Sequence, residues 1–220
     1  MKRLTRSTVV GVVALAALAV MPTLAGAKPG ASTMCTDTLA TGVYGNVIVP
    51  DNAVCIISSG QLVINGGLTV GSGATFVLGS EGTPDVTGVI NGGVHATNAA
   101  NVQIHFSIIN GGIDIHGGAG AFGGPFEITW NTIEDSVIKG GTTIEGYNGF
   151  WMGFVRNTVK GVVNLNNNVL QDPDGNEYVT NTINGALNCA GNSPAPQLGD
   201  SEGFRNLVHG SVTGQCLAVV

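Results

Sequence analysis

Ile109-Asn110-Gly111-Gly112-Ile113-Asp114-Ile115 decides the fold, because the same phrase returns along the chain. Its form is aliphatic, any, Gly, any, aliphatic, any, small or aliphatic. Earlier copies are Val43-Tyr44-Gly45-Asn46-Val47-Ile48-Val49, Ile64-Asn65-Gly66-Gly67-Leu68-Thr69-Val70 and Ile90-Asn91-Gly92-Gly93-Val94-His95-Ala96. Later ones are Val159-Lys160-Gly161-Val162-Val163-Asn164-Leu165, Ile183-Asn184-Gly185-Ala186-Leu187-Asn188-Cys189 and a degraded Val208-His209-Gly210-Ser211-Val212-Thr213-Gly214. They start at 43, 64, 90, 109, 159, 183 and 208. Steps of about 19 to 26 residues, with one gap of 50 that must hold another copy, fit the periods of solenoid repeats.

From Val43 onward, aliphatic residues alternate with polar ones in short runs broken by Gly or Asn, which is strand periodicity. The strands advance by one period instead of returning through two-residue turns. The expected fold is all-β: a right-handed parallel β-helix of about eight coils, a rod ~35–40 Å long at ~4.8 Å per coil. Positions 1, 5 and 7 of the phrase point inward. Position 3 is Gly in each quoted copy, where a side chain would collide or φ must be positive. The missing copy has two registers: Ile133, favoured by even coil lengths, or Ile138-Lys139-Gly140-Gly141-Thr142-Thr143-Ile144. The even register rests on Asn131-Thr132-Ile133, Asn157-Thr158-Val159, Asn181-Thr182-Ile183 and Asn206-Leu207-Val208. These asparagines suit a stacked amide ladder, with independent turn residues as the alternative.

Residues 1–27 read as an export signal: Lys2, Arg3 and Arg6, an apolar run from Val9 to Val20, and Ala25-Gly26-Ala27 for cleavage. The expected organisation is that signal, a lead-in or cap over 28–42, and the β-helix over 43–220. The expected destination is extracellular or the cell surface, with no membrane insertion once the signal is removed. Three of the eight basic residues lie in the signal, leaving five against fourteen acidic ones, a net charge of −9. That balance excludes nucleic acid and anionic membrane as natural partners, since both need clustered Lys and Arg. The even cysteine count in an exported chain favours disulfides over a metal site. Pairing Cys35 with Cys55 and Cys189 with Cys216 would staple the two terminal coils.

The phrases Val-Ile-Val-Pro-Asp-Asn-Ala-Val-Cys (47–55), Asn-Thr-Ile-Asn-Gly-Ala-Leu-Asn-Cys-Ala-Gly-Asn-Ser-Pro-Ala-Pro (181–196) and Gly-Ser-Val-Thr-Gly-Gln-Cys (210–216) resemble a group of secreted actinobacterial right-handed parallel β-helix proteins. The resemblance covers most of 35–216 and implies a fold and a destination, not an activity. Coils in that group are more regular than 117–157 of this chain, which marks that stretch as a place for a special function.

Four segments are expected to project from the stack: Gly117 to Pro125, the aromatic run Tyr147-Asn148-Gly149-Phe150-Trp151-Met152-Gly153-Phe154, the turn 171–177 and the loop 190–204. Two clusters offer chemistry. His95 and Asp114 share position 6 on adjacent coils with His116 beside them, a set that suits a metal or a general base pair. The alternative is ordinary solvated residues on an outer strand face. Tyr147, Phe150, Trp151 and Phe154, with Trp130, suit a platform for a sugar ring or a partner protein, or else a satellite core. Lys160 or Arg156 beside Glu134, Asp135 or Glu145 would suit lyase chemistry, and only then would Ca²⁺ be wanted; no other cofactor and no metal is expected. The expected role is a non-enzymatic scaffold, adhesion or binding protein, meeting cell-wall or extracellular polysaccharide or further copies of itself. A polysaccharide lyase or glycoside hydrolase working on coils 95–160 is the alternative.

Overall fold

A computed structural model describes residues 30–119, 130–199 and 203–220. The segment read as an export signal, and part of the loop Gly117 to Pro125, lie outside the described residues. The rest is a parallel β-solenoid of about seven turns, built from three sheets of nine, eight and six strands. Every strand pairing is parallel, and each strand neighbours its equivalent one coil away.

The repeated phrase builds two of the three sheets. Position 1 lies in the eight-stranded sheet, in an unbroken inward column: Ile64 on Ile90, Ile90 on Ile109, Ile109 on Ile138, Ile138 on Val159, Val159 on Ile183 and Ile183 on Val208. The missing copy is therefore Ile138-Lys139-Gly140-Gly141, not Ile133. Ile133 lies one strand earlier, in the six-stranded sheet, beside Ile104 and Phe154. The even spacing misled because coil lengths vary with the loops between strands, while stacking constrains only the strands. In the first coil the inward place falls to Tyr44, which pairs with Ile64, and Val43 stands one residue off.

Positions 5 and 7 run in the nine-stranded sheet, in columns such as Val94, Ile113, Thr142 and Val163. Position 3 is a steric requirement. A Cβ on Gly92 would stand 2.7 Å from the Gly66 carbonyl oxygen, and one on Gly140 2.7 Å from that of Gly111. Backbones at this corner approach closely enough for the Gly92 N–H to donate to the Gly66 carbonyl at 2.8 Å.

The asparagine column exists without its first expected member. Asn157, Asn181 and Asn206 stack, and the next places up are Ser136 and Ser107. The backbone N–H of Ser107 donates to Ser136 Oγ, that of Ser136 to Asn157 Oδ1, that of Asn157 to Asn181 Oδ1 and that of Asn181 to Asn206 Oδ1. Asn131 sits on another strand and accepts from the Val102 N–H. A second buried ladder, absent from the sequence reading, runs Tyr147 N–H to Asn168, Asn168 N–H to Asn192 and Asn192 N–H to Gln215.

Both ends are closed. Ser32–Met34, in the lead-in, is already a strand of the nine-stranded sheet, and Cys35 is bonded to Cys55. At the other end Cys189 is bonded to Cys216 in the 3₁₀ turn Gln215–Val219, whose Cys216 and Val219 are buried. Part of the loop 190–204, expected to project, instead continues the parallel stacking: Gln197 bridges to Glu177 of the six-stranded sheet and Ser193 to Val169, while residues 200–202 lie outside the described residues.

Candidate functional site

The six-stranded sheet is unlike its neighbours. Strands of the other two sheets alternate buried with exposed residues, as in Val94–Thr97. In the six-stranded sheet Thr75–Leu78, Asn101–His105 and Asn176–Val179 are buried on both faces. Loops fold over its outer side, and they leave a cleft of about 460 Å³ open between Trp130, Phe150 and Trp151.

Strand alternation sorts the aromatic run. Along Trp151–Val155, Met152 and Phe154 enter the core, while Trp151 and Gly153 face the cleft. The expectation that Tyr147 and Phe154 bind a ligand is thereby corrected, since both are 0% exposed. Tyr147 turns inward and donates its hydroxyl hydrogen to the Ala100 carbonyl at 3.0 Å. Phe150 and Trp151 do line the cleft, and Trp130 joins them. Trp130 and Trp151 are register partners whose rings meet edge to face, 6.5 Å apart at 83°. A Cβ on Gly153 would strike the Trp151 indole, so this glycine gives the ring its bed.

The floor is polar. Gln103 and Thr132 are register partners, as are His105 and Glu134. His105 Nδ1 lies 3.5 Å from Glu134 Oε2, with the two side chains 5% and 9% exposed. Neither ring nitrogen of His105 has a hydrogen bond. Thr132 Oγ1 donates to Glu134 Oε1 at 3.4 Å. Arg156, not itself a lining residue, holds two that are: its guanidinium donates to both oxygens of Asp135 at 2.7 and 2.9 Å, to Glu81 at 3.0 Å and to Glu134 at 3.4 Å. The hydrogen bond with Asp135 raises the Arg156 pKa further above its ordinary value, against the opposing effect of burial. Both Asp135 and Arg156 hold left-handed backbone conformations, at φ 51° and 55°, that turn the chain from the six-stranded to the eight-stranded sheet. Glu81 and Asp172 hang from loops at the rim.

The other candidates lie elsewhere. His95 and Asp114 are register partners on the nine-stranded sheet, as their shared position required. Asp114 accepts from or pairs with His116 Nε2 at 2.8 Å and lies 3.8 Å from His95 Nδ1, with all three side chains roughly half exposed or more. No group of three or more His, Cys, Asp or Glu among the described residues is arranged to hold a metal ion. Lys160 stands outward beside Lys139 in the position-2 column that begins Asn65, Asn91, Asn110, away from the cleft. Glu145 receives a hydrogen bond from Asn167 and does not meet Arg156.

The sequence did carry one unused signal for the floor. His105, Glu134, Val155 and Val179 each lie four residues before position 1 of their coil, so the correct register stacks His105 on Glu134 directly. Glu81 and Asp172 gave no such signal, because loop positions have no fixed offset from the repeat. No helix among the described residues is long and apolar enough to cross a membrane. No family model matches this chain, and neither a curated protein nor a solved structure matches it.

Proposed function

We propose that the protein is an extracellular β-solenoid binding module that holds a segment of polysaccharide in the cleft of its six-stranded sheet. One observation carries this: two tryptophans and a phenylalanine frame an open cleft whose buried floor is Gln103, His105, Thr132 and Glu134. Sugar rings have apolar faces and hydroxyl edges, and that combination of indole walls with hydrogen-bonding floor complements both. Export is supported by the two disulfides, which persist in oxidising compartments. The test is titration of the intact protein with soluble oligosaccharides, read by tryptophan fluorescence and calorimetry. Trp151→Ala is expected to weaken binding about tenfold or more, whereas His95→Ala, on another sheet, leaves it unchanged. Equal loss in both variants, or no binding by any oligosaccharide, overturns the reading.

The buried His105–Glu134 pair supports a second reading, cleavage of the bound chain, because an imidazole and a carboxylate facing a cleft can move protons. New reducing ends or unsaturated products, formed with or without Ca²⁺ and lost in Glu134→Gln, would establish it. Binding without products leaves the module non-enzymatic.

A further inference from the structure

The charge around the cleft selects among sugars, an inference that rests on the glycan-binding reading above. Glu81, Glu134 and Asp172 line the cleft, and none of the described lining residues is Lys or Arg. Arg156 is already engaged by Asp135, Glu134 and Glu81, so three carboxylates meet one guanidinium, and Asp172 adds a further negative charge to the lining. A uronate or a phosphate would meet repulsion there. A cation meets two favourable features there: the carboxylates, and the indoles of Trp130 and Trp151. Behind them His105, 4% exposed, has no hydrogen bond at either of its buried nitrogens and stands 3.5 Å from Glu134 Oε2.

We infer that the cleft takes a positively charged amino sugar, its ring against Trp151 and its ammonium among Glu134, Glu81 and Asp172. An N-acetyl group in the same place would remove the charge and add bulk.

The experiment compares four probes against the intact protein at about pH 6, below the ordinary range of an amine. They are a glucosamine tetramer, its fully N-acetylated counterpart, a galacturonate tetramer and tetralysine. The glucosamine tetramer is expected to bind about tenfold more tightly than the acetylated one. That preference is expected to shrink with added salt and in the double variant Glu81→Gln, Asp172→Asn, whose residues sit on loops and do not threaten the fold. Tighter binding of the acetylated or the galacturonate tetramer overturns the charge assignment while leaving glycan binding intact. Tetralysine binding as tightly as the glucosamine tetramer also overturns it, because the cleft would then be a plain cation trap. Silence from all three sugars removes the underlying reading, and this inference with it.

Discussion

At Gly111 the space for a side chain is already taken: a Cβ would stand 2.6 Å from the carbonyl carbon of Gly92 and 2.7 Å from the nitrogen of Gly93. Both contacts are backbone atoms, and the Gly92 carbonyl accepts from the Gly111 N–H at 3.0 Å, so relief requires two coils to part. Gly111→Ala is expected to cost about 1–3 kcal/mol, seen as a drop in the thermal midpoint. A similar change at Gly82, where nothing lies within 4 Å, should be nearly silent. The buried ladder sets a second residue-scale expectation. Asn181 accepts from the Asn157 N–H and donates to the Phe154 carbonyl at 2.6 Å. Asn181→Ala leaves a buried N–H without a partner, at about 1–3 kcal/mol. Asn181→Ser should cost less, because Ser136 shows that a hydroxyl at this corner accepts the same kind of bond. Tyr178 gives a pH dependence. Its phenol donates to Asn176 Oδ1 at 2.6 Å, and complete burial raises its pKa well above 10.0. The folded state therefore holds this proton more tightly than the unfolded one. Its contribution is complete below the unfolded tyrosine value and is lost as pH rises beyond it. Denaturant midpoints of the parent should fall more steeply above about pH 10 than those of Tyr178→Phe; parallel curves would refute the assignment.

Elements differ in what holds them. Strands of the eight- and nine-stranded sheets bury one face, so their stability comes from the stacked aliphatic column and the corner ladders. Apart from its edge strand Val54–Ile57, the six-stranded sheet largely buries both faces, and its outer face is where polar residues are desolvated against loops. That difference makes the cleft possible: on this sheet loops rise beside the strands and wall a concavity. Gly153→Ala tests how the wall is set. It should leave the midpoint nearly unchanged, displace the Trp151 indole, shift its fluorescence and weaken oligosaccharide binding. The terminal elements rest on covalent closure, with Cα separations of 5.4 and 5.1 Å across the two bridges. Replacing Cys189 and Cys216 by alanine is expected to lower stability by about 2–4 kcal/mol and to open the 3₁₀ turn Gln215–Val219 to proteolysis first.

Over the whole molecule each strand pairs only with the coils next to it, and side chains such as Tyr147 and Arg156 reach further, so stability is close to a sum along the stack and protection should grade inward from both ends. Hydrogen exchange is expected to be slowest at the central strands Ile113–His116 and Thr142–Glu145 and faster at Ser32–Met34 and Val212–Gly214; uniform protection would contradict a stack of coils. The sequence by itself determined the solenoid, because a column of identical apolar positions fails unless each copy carries Ile, Val or Leu in the same place. It determined the Gly corner for the same reason, and the cysteine positions that became the two bridges. It did not determine the register at Ile138, since loop length varies freely while strand stacking does not, and equal spacing was a false guide. The fate of the aromatic run was likewise open: Phe154 and Trp151 are three residues apart in one strand, and only its phase against the core sends one inward and the other to the cleft. Arg156, Asp135 and Glu134 keep fixed places in the repeat and could be paired from sequence, but tertiary structure alone brought Glu81 to them, because it sits on a loop 75 residues away with no fixed place in the repeat. Repeats write their backbone into the sequence, whereas a site made of loops and outward faces exists only once the coils have stacked.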